Sequence, residues 1–357
     1  MTIHFISVNA YSFSKIAKLR NALLLLQLFL CNYAYAQSAL DLCLLDEIKN
    51  GHSDLTVAEI RERCENRKEL ANTDDVERNG IDGNQKQELQ LSYRTRQESE
   101  TQFNEFVITP HKKNYALPVT VTSGINQEAY SSVEEFADNL EDIEAKFQIS
   151  LKVPLNRESL LVEGDGLYLG FTLQAWWQVY VSSISKPFRE TNYQPELFYL
   201  APLNWSPFGG NTRLLLGAEH QSNGRSQVLS RSWNRVYTGL LWEKDNMALL
   251  FRPWYRIPEE EKEFENDPRG DDNPDIDEFL GHFELSGAYD WEEYEFTFLG
   301  RQNFATHKGA LELGLTFPLW GKLRGFATAF TGYGESLIDY NHKQTRFGVG
   351  VSLNNVL

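Results

Sequence analysis

Sulfur, positive charge and long apolar runs are all scarce in this sequence. Its 357 residues include only 3 cysteines and 2 methionines. A protein that crosses a membrane with several helices needs runs of about 20 apolar residues, and none is present. The 34 Lys and Arg are outnumbered by 50 Asp and Glu, which gives a formal net charge of -16. This balance argues against a nucleic-acid partner, because general nucleic-acid-binding proteins are usually basic.

Aromatic residues are plentiful for so acidic a chain, with 22 Phe, 16 Tyr and 8 Trp. Many aromatics in a sequence of polar average composition are typical of two protein classes. One is a soluble all-β protein. The other is a membrane β-barrel, in which inward-facing polar side chains offset the lipid-facing apolar ones in any average.

The first 36 residues have the features of a secretory signal. Residues 1–20 contain Lys15, Lys18 and Arg20 but no acid, a mainly apolar run follows over 22–31, and Ala34-Tyr35-Ala36 ends the segment. This order predicts export and cleavage after Ala36, and the apolar run is too short to span a bilayer. Cys43 and Cys64 remain as an even pair in an exported chain, so a disulfide between them is predicted.

A separate N-terminal extension is predicted over 37–105. Apolar residues recur at helical spacing in 37–64, and Thr56-x-x-Glu59 fits a capping box, so two short helices are expected there. Residues 65–102 are polar and charged with few large apolar residues, which is typical of a flexible linker. We expect this extension to lie in the periplasm.

From about residue 106 the sequence alternates with a period of two. In 309–319, Leu311, Leu313 and Leu315 alternate with Glu312 and Gly314, and 146–155 and 345–353 repeat the pattern. Twelve strands are predicted: 106–122, 144–155, 167–180, 196–204, 212–222, 232–243, 246–257, 279–290, 292–303, 309–319, 322–333 and 345–355.

The connections between these strands differ in length. Tight turns around Asp245, Asp290 and Gly321 alternate with longer connections such as 223–231 and 258–278. This asymmetry and the large apolar residues on one strand face favour a 12-stranded antiparallel transmembrane β-barrel over 106–357. The alternative is a secreted β-sandwich, which would bury its apolar face.

The densest polar run, 219–235, spans the end of one strand, a loop and the start of the next. Strand parity places His220, Ser222 and Asn234 on the outward face near the outer rim. Ser222 and His220 would lie about 7 Å apart on that face. Serine needs an adjacent base, His220 could supply it, and the Asn234 amide oxygen could orient the imidazole without the charge of an Asp. A plain polar hairpin at a barrel rim is the alternative explanation.

Several motifs resemble those of outer-membrane phospholipase A. They are 220–226 (HQSNGRS), 230–235 (SRSWNR), 187–193 (PFRETNY), 253–255 (PWY), 271–275 (DDNPD) and 332–341 (GYGESLIDYN). The resemblance implies a calcium-dependent hydrolase of phospholipid and lysophospholipid acyl esters, with A1 and A2 activity, in a twelve-stranded barrel that is active as a homodimer. A non-catalytic outer-membrane channel or adhesin is the alternative function.

The resemblance also assigns roles to residues. It implies Ser222 as nucleophile, His220 as base, Asn234 as orienting group and the backbone N–H of Gly224 in the oxyanion hole. The Ca²⁺ ligands that it implies are the carbonyl of Arg225, the hydroxyl of Ser230, Ser185 of the partner subunit and, in the monomer, Asp272. Gln227 stands where the family can have an acidic calcium ligand. The charged residues of 258–278 other than Asp272 are expected to be solvated.

Overall fold

The computed structural model describes residues 98, 101–104, 107–264, 267, 270–321 and 323–356. All of these residues belong to one compact unit, Leu89–Leu357. Among them, no helix is both long enough and apolar enough to cross a membrane. The predicted signal, the Cys43–Cys64 bridge, the two helices in 37–64 and nearly all of the predicted extension lie outside the described residues, so the predicted domain boundaries stay predictions.

The regular secondary structure of the described chain is almost entirely β-sheet. Its strands are β1 (Thr109–Pro110), β2 (Tyr115–Thr122), β3 (Ile143–Pro154), β4 (Gly166–Trp177), β5 (Phe188–Leu203), β6 (Asn211–Ser222), β7 (Ser232–Lys244), β8 (Met247–Ile257), β9 (Phe283–Trp291), β10 (Tyr294–Asn303), β11 (Lys308–Trp320), β12 (Leu323–Gly332) and β13 (Gln344–Ser352). Short α-helices α1 (Glu134–Ala137) and α2 (Ile276–Leu280) lie in connections, with 3-10 turns at Glu128–Tyr130, Pro207–Gly209 and Gln227–Leu229.

The strands form a closed barrel. From β2 onward each strand pairs antiparallel with the next, and β13 pairs with β2, so no edge is left open. The two residues of β1 pair with β3 beyond the end of β2 and therefore prolong the first barrel strand. The predicted architecture of twelve antiparallel strands is confirmed.

The barrel wall is apolar outside and polar inside. On β3, Ile149 is 52% exposed, whereas its neighbours Gln148 and Ser150 are 9% and 1% exposed. Large apolar side chains are exposed around the wall at Leu169, Leu197, Leu216, Phe251, Phe296, Leu313 and Phe347. A soluble sandwich would bury such residues and expose the charges, so this inversion identifies a transmembrane β-barrel.

The β12–β13 loop (residues 333–343) folds into one mouth of the barrel. Leu337 and Ile338 of this loop are buried. The Glu335 carboxylate accepts hydrogen bonds from Arg346 Nε at 2.6 Å and Lys146 Nζ at 3.2 Å. Burial alone would raise the pKa of Glu335, but the charges of Arg346 and Lys146 lower it to about 2. The loop is thus fixed to the inner wall by ionic contacts.

Two predicted strand starts were wrong by four residues or more, at 196 and at 279. The strand expected to begin at 196 begins at Phe188, because its first residues point into the polar mouth and show no apolar alternation. Arg189 and Glu190 are both buried there, and Arg189 contacts Asp339 at 3.0 Å. The strand expected to begin at 279 begins at Phe283, because 276–280 forms α2.

The β8–β9 loop (residues 258–282) is anchored to the same mouth. The α2 residues Ile276 and Leu280 pack in one apolar cluster with Leu337 of the β12–β13 loop. The Tyr340 hydroxyl donates to Asp275 Oδ1 at 2.6 Å. The loop that the sequence analysis treated as solvated charge therefore has a buried base beside the polar run of 219–235.

Candidate active site

His220 and Asn234 face each other across two neighbouring strands. The β6–β7 register pairs His220 directly with Asn234 and Ser222 with Ser232. His220 Nδ1 lies 2.9 Å from Asn234 Oδ1. An amide oxygen can only accept a hydrogen bond, so the imidazole proton resides on Nδ1 and Nε2 is free to accept a proton.

Strand parity separates this pair from the barrel interior. His220 is exposed on the outer face, whereas its neighbour Glu219 is buried in the interior. On β7 both neighbours of Asn234, Trp233 and Arg235, are buried, and Arg235 forms an ion pair with Glu219 inside the barrel. The structure therefore places the imidazole and the amide on the lipid-facing wall, as the period-two pattern predicted.

Ser222 is the last residue of β6 and lies on the same face as His220. It pairs with Tyr193 of β5 and with Ser232 of β7, and its side chain is half-buried. Within the described part of the chain, no hydrogen bond joins the Ser222 hydroxyl to His220. Alternate positions on a strand lie about 7 Å apart, so a hydrogen bond between Ser222 and His220 requires the two side chains to lean toward each other.

Gly224 is the second residue of the β6–β7 loop (residues 223–231) and has a left-handed conformation. Its φ is +63°, and a Cβ placed on it would lie 3.2 Å from Tyr193 Cε2. Glycine adopts this conformation without the steric cost that other residues incur. The backbone beside Ser222 is therefore held close to the Tyr193 ring, where only glycine fits without strain.

Asn223 holds the β6–β7 loop in shape and was missed by the sequence analysis. Its Oδ1 accepts the backbone N–H groups of Arg225 at 3.2 Å and Arg231 at 3.0 Å. Its Nδ2 donates to the carbonyl of Leu229 at 2.8 Å. The signal was present in the sequence, because an Asn before a Gly is typical of a turn in which the Asn side chain bonds to the backbone.

The predicted calcium ligands are brought together only in part. Ser230 Oγ donates to Asp272 Oδ2 at 2.5 Å, and Lys262 Nζ lies 2.6 Å from Asp272 Oδ1. Ser185 is exposed on the β4–β5 connection. The described contacts of the Arg225 side chain are its guanidinium bonds to the carbonyls of Phe188 and Arg189.

The donor chemistry at Asp272 suits a hard cation. Calcium takes oxygen ligands from carboxylates, hydroxyls and backbone carbonyls. Asp272 and Ser230 supply a carboxylate and a hydroxyl oxygen 2.5 Å apart, which are donors of this kind, and the Lys262 ammonium group shows that the carboxylate accommodates a cation. The described residues contain no group of three His, Cys, Asp or Glu suited to a metal. Further ligands would therefore be carbonyls, hydroxyls or water.

Sequence comparison places the chain among known proteins. The sequence model of the family Phospholipase A1 matches residues 91–353. Phospholipase A1 of Escherichia coli strain K12 is 40% identical over 254 residues, which cover 71% of this chain and 83% of that protein. Phospholipase A1 of Klebsiella pneumoniae is 40% identical over 256 residues, covering 71% and 84%. The chain belongs to the phospholipase A1 family.

Solved structures of this family share the barrel. Outer membrane phospholipase A from Escherichia coli aligns with a TM-score of 0.64 and 39% identity, covering 71% of this chain and 95% of that chain. The Salmonella typhi outer membrane phospholipase, solved as a dimer with bound calcium, aligns with a TM-score of 0.65 and 39% identity, covering 71% and 94%. This phospholipase A1 family chain is therefore an outer-membrane β-barrel.

In this phospholipase A1 family chain, the β8–β9 loop contributes contacts that the sequence analysis did not predict. Glu259 Oε1 accepts a hydrogen bond from Asn234 Nδ2 at 3.0 Å. Burial, together with the negative charge of Asp271, raises the pKa of Glu259. Asn273 Oδ1 accepts the backbone N–H of Ser232 at 3.0 Å. Glu259 lies two residues beyond Ile257, which pairs with Asn234 at the end of β8. Because strand alternation ends at Ile257, no pattern in the sequence pointed to Glu259.

Proposed function

We propose that the chain is a calcium-dependent outer-membrane phospholipase A that hydrolyses acyl esters of phospholipids and lysophospholipids, with A1 and A2 activity. The observation that carries this proposal is the His220–Asn234 hydrogen bond of 2.9 Å on the outer wall, on the same face as Ser222. A catalytic group on the lipid-facing wall can meet a substrate that arrives through the bilayer.

The reaction that we propose proceeds through an acyl-enzyme. Ser222 Oγ attacks the ester carbonyl carbon while its proton passes to His220 Nε2, and Asn234 Oδ1 holds the imidazole through Nδ1–H. The carbonyl oxygen becomes an oxyanion, to which the backbone N–H of Gly224 donates. The ester C–O bond then breaks, and His220 returns the proton to the departing lysophospholipid oxygen.

Hydrolysis of the acyl-enzyme repeats these steps with water. His220 Nε2 takes a proton from the water molecule that attacks the acyl carbon, and Ser222 Oγ recovers a proton as the fatty acid leaves. When bound, calcium would add positive charge beside the developing oxyanion. The carbonyl of Arg225, the hydroxyl of Ser230 and Ser185 of the partner subunit would hold it in a dimer, and Asp272 would hold it in a monomer.

Dimerisation is part of the proposal because the predicted ligand set draws on two chains. The partner subunit's Ser185 would complete the calcium site only when two barrels meet through their outer walls. Protomers that stay apart would then lack the complete site, and the surrounding lipid would be spared. The related Salmonella typhi structure is a dimer with bound calcium, which supports this assembly.

We also propose the orientation of the barrel. An even number of strands leaves both chain ends on one side, and the tight turns at Asp245 and Gly321 lie on that side. Outer-membrane barrels have short periplasmic turns and longer outer loops. The predicted signal 1–36 would be removed on export, the extension 37–105 would lie in the periplasm, and His220 would lie near the outer rim.

The decisive experiment measures fatty-acid release by the purified barrel. Phospholipids labelled at the first or the second acyl position, presented in mixed micelles with calcium, should both be cleaved. Ser222→Ala should abolish release, and a calcium chelator should abolish it in the wild type. Full activity of Ser222→Ala would exclude the proposed nucleophile, and chelator-resistant activity would exclude calcium.

The same preparation distinguishes the alternative of a non-catalytic channel. The interior holds a cavity of about 390 Å³ among buried charged side chains such as Glu196 and Arg252, and the β12–β13 loop folds into one mouth and lines this cavity. Single-channel recordings in a planar bilayer should therefore show little conductance. Large conductance without lipid turnover would favour the channel.

A further inference from the structure

The side-chain amide of Asn234 is hydrogen-bonded at both ends. Its oxygen accepts from His220 Nδ1 at 2.9 Å, and its nitrogen donates to Glu259 Oε1 at 3.0 Å. A free amide could rotate by 180° and present its NH₂ group to the imidazole. A carboxylate accepts hydrogen bonds and cannot donate them when ionised, so Glu259 selects the orientation in which Oδ1 faces His220.

Glu259 also places a negative charge on the far side of Asn234 from His220. In a Ser-His-Asp triad, the Asp both orients the imidazole and stabilises the imidazolium that forms during attack. Asn234 supplies orientation alone. A carboxylate bonded to the far side of the amide polarises it, because hydrogen bonds in series strengthen one another at low dielectric. The line Glu259–Asn234–His220 thus restores part of the missing charge.

The position of Glu259 is fixed by its neighbours. Ile257 pairs with Asn234 at the end of the β7–β8 ladder, so the chain leaves β8 beside the amide. Arg256 Nη2 forms an ion pair of 2.5 Å with Asp271 Oδ2 and also donates to the carbonyl of Asn273 at 3.2 Å. These contacts tie the start of the β8–β9 loop to its later part, and Glu259 is half-buried between them.

We propose that Glu259 is a positioning residue that acts through Asn234, fixing the amide and supplying negative charge to the imidazole of His220. This inference deepens the proposed function and rests on it. Glu259 does not contact the reacting atoms, so it is expected to change the rate of the chemical step and to leave lipid binding unaltered.

Two substitutions separate the roles of orientation and charge. Glu259→Gln keeps an acceptor oxygen for Asn234 Nδ2 but removes the charge, whereas Glu259→Ala removes both. We expect kcat to fall by roughly 10- to 30-fold in Glu259→Ala and by a smaller factor in Glu259→Gln, with KM unchanged in both. Glu261→Ala is the matched control, since Glu261 is an exposed acid of the same loop, and its kcat should equal that of the wild type.

A double-substitution cycle shows whether Glu259 acts through Asn234. In an Asn234→Ala background, Glu259→Ala should cause no further loss of kcat, because coupled residues are not additive. A full additional loss would overturn the inference, as would a kcat of Glu259→Ala equal to that of the Glu261→Ala control.

Failure of the proposed function can be distinguished experimentally from failure of the inference about Glu259. It would be shown by wild-type protein that neither releases fatty acid nor reacts at Ser222 with a fluorophosphonate, and the inference would fall with it. Active wild type, inactive Ser222→Ala and unaffected Glu259→Ala would overturn the inference alone.

Discussion

At the scale of single residues, Gly224 links backbone conformation to the proposed chemistry. Its φ of +63° turns the chain immediately after Asn223, and the Tyr193 ring occupies the space that a side chain would need. The same turn sets the direction of the N–H group assigned to the oxyanion. A substitution of Gly224 is therefore expected to change both the free energy of unfolding and kcat, and to change them by different amounts.

Gly224→Ala is expected to reduce kcat far more than stability. An alanine in the left-handed region costs about 1–2 kcal/mol, which lowers the free energy of unfolding by a similar amount. Displacement of one oxyanion donor lowers kcat by roughly 100-fold or more. Fatty-acid release and denaturant unfolding in detergent micelles measure the two effects.

Gly321→Ala is the matched control for this substitution. Gly321 has a φ of +57° in the β11–β12 turn, and no atom lies within 4 Å of the Cβ position. The free energy of unfolding of Gly321→Ala should fall by roughly 1–2 kcal/mol, as in Gly224→Ala, while its kcat should stay at the wild-type value. Equal losses of kcat in the two variants would show that the N–H of Gly224 has no special role.

Sequence pattern alone grouped the candidate site residues whose chemistry and strand parity agree. His220, Ser222 and Asn234 share one strand face, and a period of two is enough to place them together. Glu259 and Lys262 were missed because they lie in a loop, where no periodicity reports which side chains point toward the site. Their contacts depend on helix α2, whose buried residues anchor the loop. The acidic composition of the loop gave no sign of this buried helix.

At the scale of elements, the β8–β9 loop brings its own cation to the proposed calcium position. Lys262 Nζ lies 2.6 Å from Asp272 Oδ1, while Ser230 donates to the other oxygen of the same carboxylate. Both side chains of the ion pair are largely buried, with 19% and 12% of the side chains exposed. A calcium ion that binds Asp272 has to displace this ammonium group.

Removal of the Lys262 charge is therefore expected to strengthen calcium binding. In Lys262→Gln, the dissociation constant for calcium should fall by about 3- to 10-fold, which corresponds to the loss of one competing, partly screened ion pair. Isothermal titration of the detergent-solubilised barrel with calcium measures the constant without reference to hydrolysis.

Lys308→Gln serves as the control for this titration. It removes an ion pair of 3.2 Å with Glu278, at the far end of the same loop, and leaves Asp272 untouched. Its calcium affinity should match that of the wild type. Weaker or unchanged binding in Lys262→Gln would mean that the ammonium group does not compete with the ion.

At the scale of the whole molecule, buried charges hold the barrel and its mouth together. Glu335 joins the β12–β13 loop to Arg346 and Lys146 on two different strands. Its pKa is lowered from 4.5 to about 2, so the folded state favours the ionised carboxylate. A lowered pKa contributes stability above about pH 4.5, and the contribution disappears as the pH falls toward 2.

Glu335→Gln is expected to remove this pH-dependent contribution. Between pH 7 and pH 2 the wild type should lose about 3 kcal/mol more of its unfolding free energy than the variant, because a shift of one pKa unit corresponds to about 1.4 kcal/mol. Denaturant unfolding in micelles at a series of pH values measures the difference. Glu158→Gln, at an exposed turn, should follow the wild-type curve, and a Glu335→Gln curve parallel to the wild type would contradict the assignment.

Most of the barrel could be predicted from sequence because its outward residues face a uniform apolar solvent. Alternation such as Leu311, Leu313 and Leu315 is then visible along nearly every strand. The exception is the start of β5, where Arg189 and Glu190 belong to a polar mouth built by the β12–β13 loop. Contacts between segments so far apart in the chain leave no local pattern, and residues 188–195, the first part of β5, were therefore predicted as a loop.

Closure of the barrel depends on its last strand, β13. The β2–β13 pairing joins Thr122 to Arg346, and the backbone N–H of Leu337 donates to Asn192 Oδ1 at 2.9 Å, next to the Tyr193 ring that packs at Gly224. These contacts join β13 and the β12–β13 loop to strands that come much earlier in the chain, so they form only when the last part of the barrel is in place. A barrel that has not yet closed therefore lacks these supports for the proposed site, and under the proposed export route the inner membrane would not meet a finished hydrolase.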